Sequence, residues 1–330
     1  MKISDPFLPI YKKCDIGTNQ EKYERLQAGE LQAPRYLDIE PTNNCNFHCR
    51  FCPLGTGIIK RAKGYMSAET VDRLCEDVRK FDVGGVRLVG EGEPLLHPHV
   101  FEIVRKFKAA GTLVHVITNG SLLTEEKAKG LIEAGLDGIK ISFQGTDKGT
   151  YGEMRIGGNY PKLLEAVRML RSLRGGRDRP YIQISTTITE ESEEQVEQFK
   201  ADVGDLCDFY NIGKTQFNHL DVDQMTISDK EKDKIRELKK HETMQKVPKA
   251  NCPEMFDKIT VNWNGDMTLC CMDYWDDMIV GNIHEMSLQE GFLSEKADRL
   301  RRLIVSGRQN EIPPCALCYD LIPLSNRDGR

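Results

Sequence analysis

The sequence predicts an α/β protein, an open (β/α)6 partial barrel followed by a smaller C-terminal unit. Two observations carry this. From Arg35 onward, short β-branched or apolar runs alternate with helical patterns, and that rhythm stops near residue 225. The candidate strands are Tyr36–Ile39, Val86–Val89, Leu113–Thr118, Gly138–Phe143, Tyr181–Thr187 and Phe209–Thr215. Between them Val71, Leu74, Cys75 and Val78 fall at i, i+3, i+4 and i+7, which makes one buried helical face. Val100, Ile103, Val104 and Phe107 repeat the pattern, and Leu163, Val167 and Leu170 make a third stripe. One helix opens at Thr124, a capping residue, and closes at Gly135. Strand–helix alternation implies parallel strands with crossover helices. Six units are too few for a closed eightfold barrel, and in such barrels chemistry sits at the carboxyl ends of the strands.

Composition removes several classes of function. Lys+Arg number 46 and Asp+Glu 51, a net charge of −5, so a generally basic nucleic-acid footprint is excluded. No apolar run approaches the roughly 18 residues that would cross a bilayer, and MKISDPFLPIYKK lacks the apolar stretch of a secretory signal. Eleven cysteines is an odd number, which argues against a secreted disulfide framework and for a cytoplasmic protein with metal-binding or catalytic thiols. Residues 1–34 read as a lead-in segment, 35–225 as the barrel, 226–246 as a connector and 247–330 as a second domain. Within the connector, Ser228–Lys246 is highly charged and expected to be a helix with a solvated face. In the second domain, Ile259–Trp263, the Asn264-Gly265 turn and Met267–Met272 read as a hairpin with a type I′ turn. Ser287-Leu-Gln-Glu290 is a capping box, and Leu300, Leu303 and Ile304 continue a helical stripe.

The strongest local signal is Cys45-Asn-Phe-His-Cys49-Arg-Phe-Cys52, directly after the first strand. Three thiolates within eight residues can wrap one metal centre and leave one position open. Structural zinc sites usually take four ligands, often as paired CxxC. Iron–sulfur clusters are held by cysteine thiolates, and the spacing favours such a cluster over zinc.

With Phe51 as its aromatic member, this CxxxCxΦC motif resembles the hallmark of the radical S-adenosylmethionine superfamily. Gly90-Glu91-Gly92-Glu93-Pro94 is similar to the family's GGEP element, which contacts the amino group of S-adenosylmethionine. It departs from that element at Glu91, where the family has glycine. The resemblance extends to Thr118-Asn119-Gly120 after the third strand and to Ser142 and Gln144 after the fourth. It also covers Arg155, where relatives place a carboxylate-binding arginine. It implies an S-adenosylmethionine site formed by Phe51, Gly92, Glu93, Pro94, Asn119, Ser142, Gln144 and Arg155, beside a [4Fe–4S] cluster on Cys45, Cys49 and Cys52. The glycines near Glu93 are expected to allow close backbone approach.

Cys252, Cys270, Cys315 and Cys318 form a second set, the last two as a CxxC after Pro313-Pro314. Four thiolates enclose a metal completely, and zinc is the alternative occupant. The layout resembles the SPASM/twitch extension of the same superfamily, similar to its aminocyclitol dehydrogenases. No cysteine follows Cys318, which points to the shorter twitch form, a β-hairpin plus helix with one auxiliary [4Fe–4S] cluster. On a strand, neighbours face opposite sides, so Cys270 rather than Cys271 is expected to be the ligand. Cys75 is expected in the core. Cys207 and Cys271 remain as hydrogen-donor candidates, and each reads equally as a buried small hydrophobe. His97 and His99 are expected to pack or cap the loop after Pro94.

The resemblance implies a small-molecule substrate and an external one-electron reductant such as flavodoxin or ferredoxin, with no nucleic-acid or membrane partner. Three reactions are open. The first is oxidation of a secondary alcohol on a sugar or aminocyclitol, with the auxiliary cluster as electron acceptor. The second is epimerisation, with Cys271 or Cys207 as hydrogen donor. The third is modification of a peptide side chain, placed last because the lead-in is short for a leader-binding domain.

Overall fold

The computed structural model describes residues 3–14, 16–217, 220–240, 245–248, 252 and 254–322. A nine-stranded sheet carries the fold. Its strands are β1 (Tyr36–Ile39), β2 (Gly85–Leu88), β3 (Leu113–Thr118), β4 (Gly138–Ser142), β5 (Tyr181–Ile188), β6 (Phe209–Lys214), β7 (Lys258–Val261), β8 (Asp266–Thr268) and β9 (Ile279–Asn282), in the order β9-β8-β7-β1-β2-β3-β4-β5-β6. β1 to β6 pair parallel throughout, as crossover connections require. β6 and β9 are the two edges, so the sheet stays open, as the alternation in the sequence predicts.

Strand alternation separates two environments. Leu37, Ile39, Val86, Leu88, Val114, Val116, Ile139, Ile141, Ile182 and Ile184 are fully buried in the main apolar core. The intervening residues, Asp38, Arg87, His115, Lys140 and Gln183, belong to the opposite face, the inside of the curved sheet. The apolar face is covered by α1 (Ala68–Lys80), α2 (Val100–Ala109), α3 (Glu125–Glu133), α4 (Tyr160–Arg174) and α5 (Glu193–Val203). Ser67, Thr124, Asn159 and Ser192 cap four of these helices by accepting the backbone N–H of Thr70, Lys127, Lys162 and Gln195. Each such cap contributes about 1 kcal/mol. The three predicted apolar stripes are buried. The lead-in closes the other end of the barrel, where the Phe7 ring lies 5.4 Å from that of His115. Gly85 makes the room, since a Cβ there would come within 2.5 Å of Phe7 Cε1.

The C-terminal hairpin continues this same sheet. β7 pairs parallel with β1, from Tyr36 opposite Lys258 to Ile39 opposite Val261, and β8 and β9 follow antiparallel. A buried ion cluster crosses the seam. Asp38 on β1 accepts from Arg87 Nε at 2.5 Å and Nη2 at 2.7 Å, and from Lys258 Nζ at 2.6 Å. Lys258 also pairs with Glu254. Burial alone would raise the Asp38 carboxyl, but Lys258 and Arg87 outweigh it and hold it down at about 2.

Three details depart from the sequence expectations. The predicted type I′ turn is a three-residue loop in which Gly265 alone is left-handed, at φ +89°. Gly265 donates to Asn262 and Asn262 to Asp266, a type I turn closed by a glycine bulge. The second hairpin strand ends at Thr268, where the register shifts against β9. The alternation that would separate Cys270 from Cys271 therefore does not apply. The helix expected over Ser228–Lys246 is shorter: α6 covers Asp229–Lys240, residues 241–244 lie outside the described residues, and Gln245–Pro248 pairs antiparallel with Tyr319–Ile322. Nor is α6 merely solvated. Ile235 and Leu238 bury against Ile58, Phe217, Leu220, Val222 and Met225 in a second small core.

Replacing Asp38 by Ala leaves Arg87 and Lys258 buried without their shared counter-ion. We expect unfolding free energy in urea to fall by about 3–5 kcal/mol. Because the Asp38 carboxyl is depressed, its contribution is complete above the unfolded value of about 3.9 and is lost as pH falls toward about 2. The stability gap between the parent and Asp38→Ala should narrow over that window, and a pH-independent gap would contradict this account.

Candidate functional site

Where β1 ends, the chain runs into the first cysteine loop, which has little regular structure and is fastened by polar contacts. Thr42 Oγ1 donates to Gly64 O at 2.5 Å, Asn43 Nδ2 donates to Ala62 O at 2.8 Å, and Gly64 N donates to Asn43 Oδ1 at 2.9 Å. Cys49 is buried, and Cys45 and Cys52 are half-buried. Burial pushes all three thiols up, Cys52 furthest. His48–Cys49 pairs antiparallel with Arg155–Ile156, which sets Cys49 opposite Arg155. The Arg155 guanidinium lies 3.9 Å from Cys49 Sγ, donates to Phe143 O at 3.4 Å and stands over the Phe51 ring at 5.3 Å. Its Nε is buried without a partner.

The loop after β2 closes directly on this one. A Cβ at Gly92 would lie 2.2 Å from Thr42 O and 2.5 Å from Asn44 O, and Glu93 N donates to Asn44 O at 2.8 Å. Within this structure, then, the glycine serves contact between two backbones. Glu93 is 2% exposed and accepts from Thr118 Oγ1 at 2.6 Å, Asn119 N at 2.7 Å and Leu95 N at 3.0 Å. Those bonds use three of a carboxylate's roughly four acceptor sites. Burial nevertheless raises its carboxyl. Pro94 opens the short 3-10 turn that Glu93 caps. Asn119 reaches back to the cysteine loop through Asn46 Oδ1 at 3.0 Å.

Ser142 ends β4, and its hydroxyl has no hydrogen-bond partner among the described residues. Gln144 is different. Its amide donates to Thr215 Oγ1 at 2.7 Å and accepts from Thr187 Oγ1 at 2.6 Å, so both ends are already engaged by the next two strand ends. His97 accepts the His99 N–H and contacts Met66 O at 3.0 Å, which is loop packing.

The second set gathers around the hairpin. The charges of Cys252 and Cys270 act on one another, as do those of Cys315 with Cys252 and Cys318, and Cys318 N donates to Cys315 O at 3.1 Å. The adjacent Cys270 and Cys271 thiols act on one another, which raises Cys270 and, with Lys258, lowers Cys271. Cys271 Sγ is also 3.6 Å from Glu254 Oε2. Among the described residues, the metal-ligating side chains whose donor atoms all fall within 4.8 Å of one another are Asp38, Glu254 and Cys271. The Lys258 ammonium already occupies that cluster. Neither cysteine set is drawn in that tightly. The soft, all-sulfur donor sets and the unpartnered Nε of Arg155 fit thiolate-held iron–sulfur centres, one with an anionic ligand group beside it.

The structure does not bring Cys207 to this face. It precedes β6 at the strand's opposite end, buried in the main core with its thiol 3.4 Å from Val203 O, and burial pushes it up to about 11. Cys75 lies in the same core. Sequence reasoning missed Tyr274, whose hydroxyl burial pushes up and on which Glu91, Cys271, Cys52 and Cys270 all act. Members of both sets thus act on it electrostatically, and no spacing pattern marks it. Glu40 and Arg61, joined at 3.3 Å, were also missed. Next to the cysteine loop, a cavity of about 570 Å³ opens between Asn46, Gly120, Tyr151 and Lys162.

A cysteine-bearing loop at the carboxyl edge of an open α/β sheet, with a second cysteine set in the C-terminal segment that extends the sheet, defines a class of iron–sulfur proteins. Residues 39–203 match the Radical SAM superfamily, and residues 252–319 match SPASM, an iron–sulfur cluster-binding domain. The chain belongs to the radical SAM superfamily. Among its relatives, the AdoMet-dependent heme synthase of Methanosarcina barkeri is 32% identical over 165 residues, covering 50% of this chain and 45% of that protein. The GTP 3',8-cyclase of Limosilactobacillus fermentum is 32% identical over 155 residues, 46% of this chain and 44% of that protein. The chain thus spans less than half the length of these relatives. Among solved structures, BtrN in complex with AdoMet and 2-DOIA superposes with a TM-score of 0.54 at 16% identity, covering 88% of this chain and 93% of that one. Streptococcus suis SuiB bound to S-adenosylmethionine gives 0.65 at 15% identity, covering 91% and 75%. These likenesses establish the fold. Among the described residues no helix is long and apolar enough to cross a membrane.

Gly92→Ala drives a Cβ into two backbone carbonyls that cannot yield independently of the cysteine loop. We expect a loss of about 1–3 kcal/mol of stability, read as a lower melting temperature, together with a lower iron content after anaerobic reconstitution. An unchanged iron content would show that the two loops do not depend on each other.

Proposed function

We propose that this chain takes a hydrogen atom from a small substrate and dehydrogenates a secondary alcohol of a sugar or aminocyclitol. The observation that carries the reading is the presence of two cysteine sets, one of three thiols and one of four, members of both of which act on Tyr274. In this reading Cys45, Cys49 and Cys52 hold a [4Fe–4S] cluster with one iron open, and Cys252, Cys270, Cys315 and Cys318 hold a second, closed one in a twitch-type domain. When bound, S-adenosylmethionine at a reduced cluster supplies a 5′-deoxyadenosyl radical, and the closed cluster supplies an electron acceptor.

The chain's own residues bind and orient. The Arg155 guanidinium, with its free Nε, is suited to the methionyl carboxylate. Glu93 has one acceptor site left for the methionyl amine. Phe51 supports Arg155 from below, Gly92 and Pro94 fix the loop, Asn119 ties it to the cysteine loop, and the Ser142 hydroxyl is available at its strand end. Gln144 acts by locking β5 and β6 rather than by contact. We take residues 35–225 as the radical barrel, 1–34 as the lead-in that closes it, 226–246 as a connector and 247–330 as the auxiliary unit. A flavodoxin or ferredoxin supplies the reducing electron.

Epimerisation is the second reading, because the Cys271 thiol stands beside Asp38 and Lys258 at the barrel seam, where a hydrogen donor is conceivable. Anaerobic reconstitution should give about eight irons per chain. Alanine at Cys45, Cys49 and Cys52 should remove about half, and alanine at Cys252, Cys270, Cys315 and Cys318 the other half. A maximum near four irons would remove the auxiliary cluster. The reaction itself is decided by substrate-dependent 5′-deoxyadenosine formation across small sugars, aminocyclitols and peptides. An oxidised product is two hydrogens lighter, whereas an epimerised one takes up solvent deuterium. Cys271→Ala should cost little under dehydrogenation, and abolition of turnover with deuterium uptake would replace that reading by epimerisation.

A further inference from the structure

Glu91 is the position at which the second-strand loop departs from its family pattern, and no step above uses it. Its backbone N–H donates to Glu40 Oε2 at 3.1 Å, while its own carboxylate has no hydrogen-bond donor among the described residues. Glu40 is 1% exposed. Its Oε2 is held by Arg61 at 3.3 Å, and its Oε1 is buried with no hydrogen-bond partner among the described residues. Asp276, from the loop after the hairpin, places Oδ1 at 3.8 Å from Arg61 Nη1, also buried without a hydrogen bond. Glu40 and Asp276, from two segments, thus share one guanidinium, and the Glu91 backbone is bonded to the first of them. Burial raises the Glu91 carboxyl, and Glu40 raises it further, with Arg61 as the cation opposing them. Burial likewise raises Asp276.

A buried acidic surplus with unfilled acceptors is costly unless a cation completes it. Arg61 already lies among these groups, which disfavours a divalent metal, and its planar fork reaches only part of the set. A primary ammonium is compact and carries three donors, one for each carboxylate. Glu91 is also close to where the chemistry would occur, since its charge acts on Cys52 of the first set, on Cys271 and on Tyr274.

We propose that Glu40, Glu91 and Asp276 seat a protonated amine of the substrate, so that the substrate is an amino sugar or aminocyclitol and not a neutral polyol. This deepens the dehydrogenase reading and rests on it. The test is equilibrium binding to the fully reconstituted protein with S-adenosylmethionine present. The probes are two pairs that differ only in amine against hydroxyl: scyllo-inosamine with scyllo-inositol, and glucosamine with glucose. In at least one pair the amine should bind about tenfold more tightly at neutral pH. Glu91→Gln should abolish that preference while the hydroxyl partner binds both forms alike. If Glu91→Gln does not retain its iron, Asp276→Asn replaces it with the same expectation. Equal affinity within both pairs, no binding by either, or a preference that survives both substitutions overturns the amine seat. Iron content and reductant-driven 5′-deoxyadenosine release, measured on the same parent sample, report separately on the underlying radical reading.

Discussion

The carboxylate of Asp38 joins what would otherwise be two pieces of structure. It sits on the first barrel strand and receives Arg87 from one neighbouring strand and Lys258 from the other. Fully buried charges are expensive to desolvate, and a buried pair is weak evidence for net stability. What this cluster provides is position. Only one register of β7 against β1 brings Lys258 to Asp38, and that register fixes where the hairpin, and with it Cys270 and Cys271, stands relative to the first cysteine loop. A slip by one residue would turn Lys258 into the apolar layer with nothing to pair it.

From that seam the site is assembled by loops that have no structure of their own. The first cysteine loop is held by side-chain to backbone bonds from Thr42 and Asn43 and by the loop after β2 pressing on it through Gly92. Glu93 then draws the end of β3 to the end of β2, and Asn119 returns to the cysteine loop through Asn46. Each link is a short polar bond between strand ends already fixed by the apolar layer behind them. Rigid strands position loops, and the loops carry the thiols. The charges at this edge are unevenly distributed: a guanidinium stands by the first cysteines, and a group of carboxylates stands toward the hairpin. A cofactor with an anionic end and a substrate with a cationic one could lie side by side without competing for the same groups.

Much of this was legible in the residues. The strands could be read because Val, Ile and Leu alternate with Asp, Arg, His, Lys and Gln, and the helices because their apolar residues recur every three or four positions behind Ser, Thr or Asn caps. The cysteine motif was legible because metal coordination demands close spacing along the chain. The strand alternation used to choose between Cys270 and Cys271 does not reach them, because the ladder ends at Thr268. The charged segment Ser228–Lys246 looked like a solvated connector because only Ile235 and Leu238 are buried in its helix Asp229–Lys240, and two residues leave little periodic signal. Tyr274 and Arg61 had no signal, since what singles them out, Glu91 and Cys52 for the one and Asp276 for the other, comes from segments far away in sequence.

The sequence by itself determined the elements, their order and the two cysteine sets, because periodicity, capping and ligand spacing are local properties of a chain. The tertiary structure alone decided that the hairpin extends the barrel sheet, that Gln144 is spent on Thr187 and Thr215, that Cys207 is remote, and that Glu40 and Asp276 meet at Arg61. Those outcomes follow from strand pairing and from burial. Both depend on which distant residues are brought together and on whether a polar group, once removed from water, finds a partner.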